Sequence, residues 1–94
     1  MSIGGLSKLK PADDQVREVL TKVKGQVEAK LAREYCIFDA ISYKSQVVAG
    51  TNFFIKVKTN DGYIHLRVYR DLENVCKLVS LQEGHSMDDE ITYF

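Results

Sequence analysis

From Asp13 to about Glu34, valine and leucine recur at three- and four-residue intervals, as Val16, Val19, Leu20, Val23, Val27 and Leu31. That period gathers them on one stripe of an α-helix. Asp13 is placed to cap the helix, because a short carboxylate accepts hydrogen bonds from the unpaired amides of a first turn. Arg17, Lys22, Lys24, Glu28 and Lys30 fall on the opposite face, a solvated surface that implies no partner. Gly25 costs about 1 kcal/mol relative to alanine in a helix interior and is expected to mark a bend or a close approach of the sheet. Pro11 helps to end whatever precedes the helix.

After the helix the period changes to two. Phe38 to Ser45 and Thr51 to Lys58 read as strands, and Asn60-Asp61-Gly62 supplies a turn, since glycine tolerates positive φ and the two side chains can bond their own backbone. In Tyr63 to Tyr69, Ile64, Leu66 and Val68 alternate with Tyr63, His65, Arg67 and Tyr69, giving one apolar face and one polar or amphipathic face. Ile55 and Val57 fit the same buried face. Asp71 to Lys77 reads as a second hairpin loop and Leu78 to Leu81 as a further strand. Ile91 to Phe94 forms a short apolar end after Asp88-Asp89-Glu90. The predicted fold class is α+β: one long helix packed across an antiparallel meander, in a single domain over residues 1–94.

Between the first two strands lies Gln46-Val47-Val48-Ala49-Gly50. Pattern alone favours the interior of one continuous strand. As a hairpin tip, the pentapeptide would instead carry two bare valines where a solvated turn normally carries polar residues, an arrangement suited to burial in another molecule.

Composition narrows the functions. The chain has 94 residues, enough for one two-layer core, with 13 Lys plus Arg against 13 Asp plus Glu. Balanced charge provides no field to concentrate nucleic acid or an anionic membrane, and no run approaches the roughly 20 apolar residues of a membrane span. With no basic-then-apolar N-terminal segment, a cytoplasmic location is expected. Two cysteines, Cys36 and Cys76, lack zinc-ligand spacing. One disulfide is conceivable, and two free thiols are expected in its place. Cys36 is read as a packed small hydrophobe opening a strand, and Cys76 as an exposed thiol in a loop. The histidines, His65 and His85, form no recognisable arrangement with a nucleophile, and no phosphate loop is present, so an enzyme reading is poor. His65 is expected on the polar side of its strand and His85 in a loop. The acidic run reads as a solvated cluster, and no cofactor or metal is implied.

Gly4-Gly5-Leu6, the helix, Gln46-Val47-Val48-Ala49-Gly50-Thr51-Asn52 with Phe53-Phe54-Ile55-Lys56-Val57, and the closing Asp89-Glu90-Ile91-Thr92-Tyr93-Phe94 together resemble the cystatin family. Over nearly its whole length the chain is similar to the stefins, the single-domain intracellular type 1 cystatins. The resemblance implies a cystatin-like curved sheet of about five strands. It also implies reversible, tight-binding competitive inhibition of papain-like cysteine proteases: papain and cathepsins L, S, H and B. In that family an N-terminal trunk and two hairpin loops form a wedge that fills the protease cleft. Carried onto this chain, the trunk supplies Ile3, Gly4 and Gly5, with Gly4 nearest the catalytic cysteine. The first loop is Gln46, Val47, Val48, Ala49 and Gly50, and the second is Leu72, Glu73 and Asn74. Gln46 is expected to support its loop through hydrogen bonds. The active form implied is a monomer, and a domain-swapped dimer that hides the loop is a second implied state.

One departure stands out. Many stefins carry Leu-Pro in the second hairpin, whereas Leu72 is followed here by Glu73 and Asn74. Without proline this loop is expected to be less constrained and to lose more entropy on binding. Two rival readings are a stefin-like scaffold without inhibition and an RNA-binding sheet that stacks bases on Phe53, Tyr63 and Tyr69.

Overall fold

Asp13 has extended backbone, and its carboxylate accepts the Val16 amide at 2.9 Å, so the helix starts where the sequence places its cap. The computed structural model describes residues 5–94. Its elements are β1 (Lys10–Pro11), α1 (Asp14–Leu31), β2 (Phe38–Val48), β3 (Gly50–Thr59), β4 (Gly62–Arg70) and β5 (Cys76–His85). The helix stops three residues before Glu34, because Ala32 adopts a left-handed conformation at φ 53° and the chain turns away. Gly25 marks neither a break nor a close approach. The helix runs through it, and a Cβ there would meet nothing within 4 Å.

Asp13 does more than cap. Its second carboxylate oxygen accepts the Tyr43 hydroxyl at 2.5 Å, tying the helix start to β2. This hydrogen bond, then the Val16 amide, holds the Asp13 carboxyl below its ordinary range. Burial, reinforced by the same bond, pushes the Tyr43 phenol up. Losing both contacts in Asp13→Ala is expected to cost about 2 kcal/mol by urea unfolding, with Asp13→Asn losing less because an amide oxygen still caps. Equal losses in the two variants would place the stabilisation elsewhere.

The strands pair in the order β1-β2-β3-β4-β5, every pair antiparallel. Register shifts in the β2–β3 and β4–β5 ladders are the local irregularities through which such a sheet bends. One face packs on the helix: Val16, Val19, Leu20, Val23 and Val27 meet Tyr43, Phe53, Ile55, Val57, Ile64, Leu66 and Val68. Phe53, one of the aromatics considered for base stacking, is fully buried here and unavailable for it. The Asn60–Asp61 turn closes β3 onto β4 as expected, with the Asp61 amide donating to Thr59 Oγ1 at 3.1 Å. Among the described residues no helix is long and apolar enough to cross a membrane.

The other face of the sheet is covered by the chain after β5. Lys44 Nζ donates to the Ile91 carbonyl at 2.8 Å, Lys56 Nζ to Met87 at 2.5 Å and Arg67 Nη1 to Phe94 at 2.8 Å. The rings of Tyr93 and Phe94 lie 5.5 and 5.7 Å from Phe54. This cover corrects the expectation for His65. It lies on the polar side of β4 by alternation, yet it is fully buried and stacks on His85, ring centroids 3.7 Å apart. His85 itself ends β5 rather than occupying a loop.

Both cysteine expectations also change. β2 begins at Phe38, two residues past Cys36, which is exposed; Tyr35 fills the core instead and stacks on Phe38 at 5.6 Å. Cys76 starts β5 facing the helix and is buried, which raises its thiol pKa. Neither cysteine is in a disulfide.

Candidate functional site

Gln46 to Gly50 turns out to be paired strand almost to its end. Gln46 opposes Asn52, Val47 opposes Thr51 and Val48 opposes Gly50, leaving Ala49 alone at the reversal. The strands on either side are therefore longer than the sequence suggests, and the five residues are the tip of a continuous hairpin. So tight a reversal depends on Gly50 at φ +103°, a conformation side-chain-bearing residues rarely adopt. Gln46 is buried, and its Oε1 accepts Asn52 Nδ2 at 3.1 Å, the supporting role expected of it. Val47 is 75% exposed and Val48 38%. An internally hydrogen-bonded tip thus holds two apolar side chains in solvent.

The turn between β4 and β5 lies at the same end of the sheet, since Thr51 opposes Arg70 in the final pair of the β3–β4 ladder. There Leu72 is 80% exposed, and Glu73 and Asn74 are exposed beside it. The missing proline has not left this loop unconstrained. One carboxylate oxygen of Asp71 accepts the amides of Glu73 at 2.8 Å and Val75 at 3.0 Å, and the Asp71 amide donates to the Val75 carbonyl at 3.0 Å. Asn74 takes positive φ, 65°, which asparagine tolerates better than most residues. Lys22 Nζ on the helix donates to the Asn74 carbonyl at 3.2 Å. An aspartate side chain and a helix lysine perform the ordering that proline performs by fixing φ.

The N-terminal segment runs toward the same end. Lys10 opposes Tyr43 in the β1–β2 pair, and farther along Ser7 donates its amide to the Ser45 carbonyl at 2.7 Å while its Oγ accepts the Ser45 amide at 2.9 Å. The antiparallel direction carries the chain from there toward the hairpin tip. Gly5 is exposed, with open space where a Cβ would stand. Ile3 and Gly4 lie outside the described residues.

A cystatin-domain family model matches residues 4–86 of the chain. The chain belongs to the cystatin family. Cystatin-A2 of Dictyostelium discoideum is 45% identical to it over 92 residues, covering 98% of this chain and 97% of the relative. Cystatin-A of Homo sapiens is 43% identical over 95 residues, covering 97% of each. Leukocyte cysteine proteinase inhibitor 1 of Sus scrofa is 44% identical over 98 residues, covering 100% of this chain and 95% of the relative.

In this cystatin, sequence reading finds the exposed residues at the hairpin end and misses what holds them. Asp71 was legible: an aspartate opening a loop is a common Asx-turn former. Lys22 and Tyr69 were not, because their contacts join residues 52 and 20 positions apart in the chain.

Proposed function

We propose that this cystatin is a reversible, tight-binding competitive inhibitor of papain-like cysteine proteases, with papain and cathepsins L, S, H and B as the expected targets. The inhibitor name of the Sus scrofa relative supports the class of partner. The observation that carries the reading is the presentation of exposed Val47, Val48 and Leu72 at one end of the sheet. Fully removing such a side chain from water is worth about 1.5–3 kcal/mol, and a preformed hairpin loses little entropy on docking. The three-part wedge consists of Ile3, Gly4 and Gly5, then Gln46 to Gly50, then Leu72, Glu73 and Asn74. Its action is occlusion of the cleft rather than chemistry. The unbridged thiols Cys36 and Cys76 favour a reducing, cytoplasmic setting. The monomer is the active form, and a dimer that exchanges hairpin halves across Ala49 hides the tip.

Titration of papain with the monomer and dimer fractions from size exclusion tests the reading. The monomer should abolish activity at one stoichiometric endpoint and the dimer should not. Val47→Asp, which places a charge in a desolvated contact at an exposed site, should raise the inhibition constant by about 100-fold with little loss of stability. An unaltered constant would remove the tip from the interface.

A further inference from the structure

The geometry points to Tyr69 as a positioning residue that sets how the first hairpin tip is presented, an inference that rests on the inhibitor reading above. Tyr69 is the penultimate residue of β4 and opposes Asn52 across the ladder, three residues past Ala49. Its hydroxyl donates to the carbonyl of Ala49. Ala49 is the residue between the two strands, so no cross-strand partner is assigned to it. The Tyr69 ring stands beside the same turn: a Cβ on Gly50 would lie 3.0 Å from Cε1 and 2.9 Å from the hydroxyl.

The base on which the tip rests is itself fixed. A Cβ on Gly50 would meet the Arg70 carbonyl oxygen at 2.4 Å, so the tip leans directly on the backbone at the end of β4. The Arg70 guanidinium sits 4.9 Å over the ring of fully buried Phe53, and Nη2 reaches Gln15 Oε1 on the helix at 3.5 Å. Asp71, which orders the second loop, follows at once in the chain. Tyr69 therefore links the first tip to the strand from which the second loop springs.

Val48, Ala49 and Gly50 extend past the last pair of the β3–β4 ladder, Thr51 with Arg70, and bending of this short extension would reorient the two valines. A hydrogen bond at the apex opposes that motion where its lever arm is longest. The Asn52–Gln46 bond secures the stem, and Tyr69 secures the apex. With the apex held, Val47 and Val48 meet a cleft in one orientation and the ordering cost of binding is already met by folding.

Tyr69→Phe keeps the ring and removes only the hydroxyl. Backbone relaxation should show order falling at Ala49 and Gly50, with Tm lowered by no more than about 8 °C, the cost of one hydrogen bond. The dissociation constant for papain should rise about 3- to 10-fold, the size of one ordinary hydrogen bond. In a Val47→Ala, Val48→Ala background the same substitution should change affinity by less than about 2-fold, since the tip then has little to present. Three results would overturn the assignment: unchanged order at the tip, reduced order with unchanged affinity, or the full 3- to 10-fold loss in the double-alanine background. If the unsubstituted protein fails to inhibit papain, the inhibitor reading fails and the affinity comparison falls with it. The relaxation comparison then still reports whether Tyr69 holds the apex.

Discussion

Gly50→Ala should destabilise the protein by about 2–4 kcal/mol and weaken papain inhibition by more than tenfold. Two costs combine. At φ +103° a residue with a Cβ is strained by about 1–3 kcal/mol even in open space. Here the added carbon would also sit 2.4 Å from the Arg70 carbonyl oxygen, a backbone atom that cannot swing aside. Arg70 is paired with Thr51 on one side and Cys76 on the other, so relief must come from the tip. Moving the tip reorients Val47 and Val48, which is why binding should suffer along with stability. Gly5→Ala is the natural control for stability, since nothing lies within 4 Å of the site and the change should stay within about 0.5 kcal/mol. Urea unfolding of both variants, followed by papain titration, separates the effects. If Gly50→Ala proved as stable and as inhibitory as the unsubstituted protein, the tip would not hold this conformation in solution.

Acid should destabilise the protein in a window set by His65. This imidazole is fully buried, and neither of its ring nitrogens has a hydrogen-bond partner among the described residues. The groups around it are Lys56 on β3, Arg67 on its own strand, Gln82 and His85 on β5, and Asp89 in the segment that covers the sheet. Burial first, then the positive charges of His85 and Lys56, lower its pKa from 6.5 to about 4, with Asp89 opposing. Because the folded value is depressed, the unfolded chain takes up the proton first as pH falls. Stability is therefore intact above about pH 6.5, declines from there to about pH 4, and stops declining on this account once both states are protonated. The depression corresponds to about 3 kcal/mol.

Below that window carboxylates take over. Asp89 is held at about 2, chiefly by the Ser86 amide, then by the Ser86 hydroxyl and His85, so its contribution is lost only as pH falls from the ordinary carboxylate range toward that value. Asp13 is lowered in the same sense. Chemical denaturation of the unsubstituted protein across this range should show the decline, and His65→Leu, which cannot titrate, should flatten it above about pH 4. A decline of equal size in both proteins would assign the acid sensitivity to other groups. Protonating His65 puts a second charge beside Lys56 and against the His85 ring, under the chain segment that closes this face. Loosening should therefore begin at residues 86–94.

Much of this architecture is decided by short-range chemistry and can be read directly. The stripe from Val16 to Leu31, the Asp13 cap, the Asn60-Asp61-Gly62 turn and the alternation from Tyr63 to Tyr69 each depend on neighbours within a few positions, so their period and residue types announce them. The exposed end of the sheet is different: pattern alone favours one continuous strand through Gln46 to Gly50, and the tip was legible through the resemblance to the cystatins. Two valines before Ala-Gly are unusual in a turn, and their exposure follows once the chain reverses there.

Which side chains become neighbours after folding is not encoded in any short stretch of the chain. Alternation tells that His65 and Lys56 share a face, and it is silent on whether that face meets water. The cover arrives from residues 86–94, more than twenty positions later, and it turns a surface histidine into a buried one. Cys36 and Cys76 exchanged their expected environments because each strand begins two residues from its expected onset: β2 starts after Cys36 and leaves it outside the sheet, whereas β5 starts at Cys76 and seats it against the core. The sequence alone thus determined the elements and the apolar tip. Only the tertiary structure decided what holds that tip and braces the loop beside it, because Tyr69 and Lys22 act through partners, Ala49 and Asn74, that the ladder and the helix bring within hydrogen-bond reach.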